Sequence, residues 1–82
     1  MFRSRIVVTL RKSILDPQGK AVESAAHTLG FTTVRDLRIG KHIEFSLESS
    51  TKEEAERITE EVCKKLLANP VMEDYSYNVE HA

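Results

Sequence analysis

The pair Asp16–Pro17 fixes the point at which this chain must leave extended backbone and begin a helix. An aspartate at an N-cap accepts from first-turn N–H groups that have no intrahelical partner. A proline directly after it sits where its missing N–H costs nothing. Upstream, Phe2, Ile6, Val8 and Leu10 are apolar and Arg3, Arg5 and Thr9 lie between them, the alternation of a strand buried on one face. Downstream, Val22, Ala25, Ala26 and Leu29 recur at helical spacing as one apolar stripe, and Gly30 stands where a left-handed residue would close the helix.

The rest of the chain continues in the same grammar. Val34–Ile39 and His42–Ser49 read as strands, the second with Ile43, Phe45 and Leu47 alternating against His42, Glu44, Ser46 and Glu48. Gly40 and Lys41 between them suit a type II′ hairpin turn. Ser50 or Thr51 caps a second helix, since Glu53 and Glu54 stand three residues beyond each. Its predicted buried stripe is Ala55, Ile58, Val62 and Leu66, and Pro70 ends it. Val71–Val79 is a last strand with Tyr75, Tyr77 and Val79 on one face. The order βαββαβ predicts an α+β, ferredoxin-like two-layer sandwich: a four-stranded antiparallel sheet with two helices on one face. The uncovered face would then carry Arg3 and Arg5 beside Glu44 and Glu48, within reach of cross-strand pairing.

Eighty-two residues make a single domain, 1–82, with a small core, so oligomerisation or a partner is expected to supplement it. Twelve basic and thirteen acidic side chains give a net charge of −1, which supplies no field for nucleic acid or anionic lipid. One cysteine excludes an internal disulfide and fits the cytoplasm. The apolar run Ile6–Leu10 is too short for a signal peptide or a membrane span.

No catalytic or metal-ligating set can be assembled from these residues. Cys63 lies beside the predicted stripe with no base brought to it, and reads as a packed cysteine. His27, His42 and His81 have no ligand spacing, and the glutamates of the second helix read as a wet face. Arg11, Lys12 and Lys20 flank the start of the first helix, but there is no phosphate loop and Asp16 occupies the cap. Lys41, His42, Ile43, Glu44 and Phe45 do not reproduce the aromatic pattern that stacks bases on an open sheet, and the last-strand tyrosines read as partly buried core with wet hydroxyls. Gly19 is unusual inside a first helical turn; either a neighbouring backbone packs closely there, the more economical reading, or a ligand does. Arg38 and Lys41, flanking Gly40, read by residue type either as a solubilising loop tip, the more economical reading, or as a contact for a partner's carboxylates.

The run Leu15–Asp16–Pro17–Gln18–Gly19, the segment Arg38–Ile39–Gly40–Lys41, the stretch from Cys63 to Pro70 and the later Glu73–Asp74–Tyr75 resemble, in order and spacing, the PurS family. This is the small subunit of phosphoribosylformylglycinamidine synthase, a glutamine-dependent ligase of purine biosynthesis. The resemblance spans essentially the whole chain and implies a noncatalytic assembly subunit, a dimer that bridges a synthetase subunit and a glutaminase subunit and assists ammonia transfer. It implies no cofactor here, with ATP and magnesium held by the synthetase. It also makes Asp16, Pro17, Gln18, Gly19, Arg38, Gly40 and Lys41 candidate partner-contact residues. A different class with the same element order, an effector-binding regulatory module of the ACT kind, would instead place an amino acid against Gly19.

Overall fold

The computed structural model describes residues 1–82: β1 (Phe2–Leu10), α1 (Pro17–Thr28), β2 (Lys41–Leu47), α2 (Lys52–Val62) running into a π-helical turn (Cys63–Leu67), and β3 (Glu73–His81). The sheet is antiparallel, three-stranded and ordered β2-β1-β3. Ile6 lies between Ile43 and Tyr77, and Ser4 between Phe45 and Val79. Because directly opposed residues share a face, the alternation in each strand assembles one apolar side. That side packs against α2 through Ala55, Thr59 and Cys63, all fully buried with Ile6 and Ser4.

Two buried hydroxyls fix α2 to the sheet. The Thr59 hydroxyl donates to the Ala55 carbonyl at 2.8 Å, so its single proton is engaged, and Ser4 is the donor in the 2.7 Å bond between Ser4 Oγ and Thr59 Oγ1. Over β3, the Tyr75 hydroxyl donates to Glu60 at 2.7 Å. That bond, followed by burial, pushes the phenol up to about 12.

The expected α2 stripe is corrected at its end. Ala55 is buried and Ile58 and Val62 are partly so, but Cys63 is fully buried and Leu66 is 80% exposed. The π turn, closed by the Ala68 N–H on the Cys63 carbonyl at 3.0 Å, adds a residue to the turn and rotates Leu66 to the outside. β3 starts at Glu73, so Met72 precedes the strand, while Tyr75, Tyr77 and Val79 share the helix-side face as predicted.

The four-stranded sheet is also corrected. Val34–Ile39 forms no strand, because its backbone groups are engaged by α1: Leu37 N–H donates to Glu23, Ile39 N–H to Asp16, and the Val34 carbonyl accepts from His27. Gly40 lacks the positive φ of a type II′ turn. α1 does not share the helix layer with α2. With residues 11–16 and 29–40 it forms an arm off one end of the sheet, in a molecule 51 × 27 × 14 Å across. The stripe predicted to be buried is open, with Val22 45% and Leu29 75% exposed.

The opposite sheet face is polar, as the alternation requires. Arg3 pairs with Glu44 at 3.0 Å, Arg5 lies 3.7 Å from the same carboxylate and also bonds Glu80, and His42 contacts Glu44 at 3.0 Å. Glu48 lies beyond β2 and takes no part.

Thr59→Val should cost about 1–3 kcal/mol in urea unfolding, because it strands the buried Ser4 donor. Adding Ser4→Ala should cost less than the sum of the single changes, and strict additivity would show that the hydroxyls are not coupled.

Candidate partner-binding site at the base of the arm

The residues around Asp16 are brought together by the cap that the sequence announces. Asp16 is 6% exposed. Its Oδ1 accepts from the Gly19 N–H at 2.9 Å, the ordinary N-cap bond, and its Oδ2 accepts from the Ile39 N–H at 2.9 Å, twenty-three residues away. One carboxylate thus starts α1 and ties the return segment to it. The Ile39 and Gly19 N–H groups hold the acid below its usual value, and the Arg38 guanidinium adds to the effect.

Gly19 is explained by this tie. A Cβ there would lie 2.5 Å from the Leu37 carbonyl oxygen and 2.7 Å from Asp16 Oδ2, so the return segment approaches the helix where only glycine fits. Further along α1, Glu23 accepts from the Leu37 N–H at 2.9 Å, and that bond holds its carboxyl below the usual range. His27 Nε2 donates to the Val34 carbonyl at 2.7 Å. Gly30, at φ +100°, closes α1 with its N–H on the His27 carbonyl and the Phe31 N–H on the Ala26 carbonyl.

Arg38 does not stand on a hairpin tip. Its two terminal nitrogens donate to the Ile14 and Lys12 carbonyls at 2.7 Å each, which clamps the loop before α1 to the return segment. Lys41 reaches Glu73 across the sheet at 3.7 Å. Gly40, leading into β2, runs so close alongside β1 that a Cβ would fall 2.5 Å from the Val8 carbonyl oxygen.

Two clefts flank the tie. One, of about 390 Å³, is lined by Asp16, Pro17, Gln18, Gly40 and Lys41 together with apolar Val8, Leu10 and Ile39. The other, of about 320 Å³, is more polar and lies against Lys12, Lys20, Asp36 and Arg38. Five of the seven candidate contact residues therefore share one cleft, Arg38 lines the other, and Gly19 is buried between them. Sequence reasoning missed Glu23 and His27 as parts of the arm; their i, i+4 spacing on the polar flank of the stripe was the available signal. Cys63 lies in the sheet-side core, its thiol pushed up by burial and then by Glu60. No helix is long and apolar enough to cross a membrane.

As pH falls below 3.8, the usual aspartate value, the unfolded chain takes up a proton that native Asp16 resists, so the tie's contribution to stability declines there and is complete above it. The Gly19 and Ile39 amide resonances should therefore titrate together, with one midpoint below 3.8. Gly19→Ala should accelerate hydrogen exchange at Leu37 and Ile39 and leave β1 protected. Equal acceleration in β1 would show that the arm and the sheet open as one unit.

Residues 3–81 match the model of the family described as PurS: Phosphoribosylformylglycinamidine (FGAM) synthase. The chain is 45% identical over 80 residues to the phosphoribosylformylglycinamidine synthase subunit PurS of Bacillus subtilis, covering 98% of this chain and 94% of that one. The crystal structure of PurS from Methanocaldococcus jannaschii is 36% identical and superposes with a TM-score of 0.89 over 100% of this chain and 99% of that one. A chain in the structure of PurLQS from Thermotoga maritima is 31% identical and superposes with a TM-score of 0.86 over 98% and 99%. Likeness of that extent covers the arm as well as the sheet. Sequence and three-dimensional course agree along the whole length, and the chain belongs to the PurS family of phosphoribosylformylglycinamidine synthase.

Proposed function

We propose that this chain is the noncatalytic assembly subunit of a phosphoribosylformylglycinamidine synthase in de novo purine biosynthesis. In this reading it bridges a synthetase subunit and a glutaminase subunit and assists the passage of ammonia between them. The observation that carries the reading is the full-length match to PurS subunits, one of them solved within a PurLQS structure. The surface fits such work: the polar groups at the base of the arm hold the arm in place, while Leu15, Leu29, Phe31 and Val71 lie more than half exposed. Asp16, Pro17, Gln18, Gly40 and Lys41 would meet a partner at the cleft they line, with Gly19 and Arg38 keeping its walls in position. The chain would act as one cytoplasmic domain and as a dimer, with ATP and magnesium in the synthetase. The ACT-like alternative is not favoured by the family match, and the space beside Gly19 that an effector would need is filled by the Leu37 carbonyl.

The purified chain should show neither ATPase nor glutaminase activity, yet restore glutamine-dependent amidation when added to a matching synthetase and glutaminase. Gly19→Val should weaken assembly of the complex, and ammonium supplied directly should bypass part of that defect. Full-rate use of glutamine without this chain would end the reading.

A further inference from the structure

The π turn at the end of α2 places an apolar side chain on the outside. An unbroken α-helix would carry Leu66 onto the stripe of Ala55, Ile58 and Val62. The extra residue in Cys63–Leu67 turns it away from the core, and it stands 80% exposed. Insertions of this kind occur frequently at functional sites.

A second apolar side chain, Val71, is held out on the turn that follows. Asn69 Oδ1 accepts from the Val71 N–H at 2.9 Å and the Met72 N–H at 3.2 Å, and the Asn69 N–H donates to Glu73 Oε1 at 2.7 Å. The Glu73 N–H donates to the Asn69 carbonyl at 2.8 Å, and Arg11 donates to the Pro70 carbonyl at 2.7 Å. The backbone from Asn69 to Glu73 is therefore tied along its length, with Val71 76% exposed upon it. Side chains presented on a fixed frame lose little freedom when a partner covers them.

The flank of this surface is basic. Lys64 and Lys65 are exposed in the π turn, and neither pairs with a carboxylate of its own chain. Lys64 and Pro70 line a cleft of about 420 Å³ whose Glu73 wall also lines the candidate contact cleft at the base of the arm, so the two surfaces adjoin. The complement to such a surface is an apolar hollow edged by free carboxylates. The clefts of this chain do not supply one. In the apolar cleft, backbone N–H groups and Lys41 engage Asp16 and Glu73; beside Pro70, Asp74 lies against Arg11; and the cleft with Asp36 carries Lys12, Lys20 and Arg38. A second copy is therefore a poor occupant.

We propose that Leu66 and Val71, flanked by Lys64 and Lys65, form a docking surface for one of the larger subunits of the synthase, and that the occupant presents an apolar hollow edged by carboxylates. This rests on the assembly reading above, and it gives that assembly a contact on the sheet half of the molecule in addition to the cleft of the arm.

The test uses the full chain with a matching synthetase and glutaminase. Leu66→Gln with Val71→Gln should raise about 10-fold or more the concentration of chain that half-restores glutamine-dependent amidation, with the far-ultraviolet circular dichroism and the sedimentation of the chain alone unchanged. Independently, Lys64→Glu with Lys65→Glu should slow association with the partner about 10-fold at low salt, and raised salt should remove most of that difference. The lysine pair decides the matter if the glutamines disturb the fold. Unaltered assembly by both variants would overturn the docking surface and leave the assembly reading standing. A glutamine pair that instead dissociates the homo-oligomer would assign the surface to a second copy and overturn the proposal as well. A native chain that restores no use of glutamine would overturn both readings.

Discussion

The Asp16 carboxylate is the contact on which the shape of this molecule depends. Each oxygen accepts one backbone N–H, from Gly19 in the first turn of α1 and from Ile39 on the returning segment. A charged acceptor strengthens both bonds, and a side chain 6% exposed shields them from competing water. Once Ile39 and Leu37 donate to side chains of α1, residues 34–39 have lost donors that a sheet ladder would need. A segment of strand-like composition therefore becomes one wall of an arm.

The sheet half is built on a different economy. Its core is small, and the buried pair Ser4–Thr59 is tolerated because each hydroxyl has a partner and the chain leaves no buried side-chain polar atom unpaired. The opposite face is held by exposed ion pairs around Glu44, which set register more than they add stability. With one helix over three strands, β2 keeps an apolar flank and an unpaired edge. A subunit of this construction is suited to working in an assembly.

Local signals were legible wherever a short stretch of chain settles its own conformation. The N-cap at Asp16, the left-handed Gly30, the alternation of β1 and the polar face with Arg3 opposite Glu44 all follow from residues within a few positions or directly across a ladder. Thr51, which accepts from the Glu54 N–H, resolves the choice with Ser50, whose hydroxyl bonds the Glu54 side chain instead. The stripe of α2 was legible until Cys63, where the π turn shifts the phase of the helix. No residue in Cys63–Leu67 announces that extra residue, because it is set by how the last turn must land on the sheet.

The sequence by itself determined where α1 begins and ends, which face of β1, β2 and β3 is apolar, that α1 has a stripe to bury, and, through whole-length resemblance, the family. Those properties are local: they reside in caps, periodicity and glycine positions. Only the tertiary structure decided that Val34–Ile39 pairs with α1 rather than with β2, and that the stripe of α1 therefore points away from its own sheet. Periodicity states that a surface is apolar without naming what covers it, and here the choice was made by one carboxylate oxygen of Asp16 reaching the Ile39 N–H far along the chain.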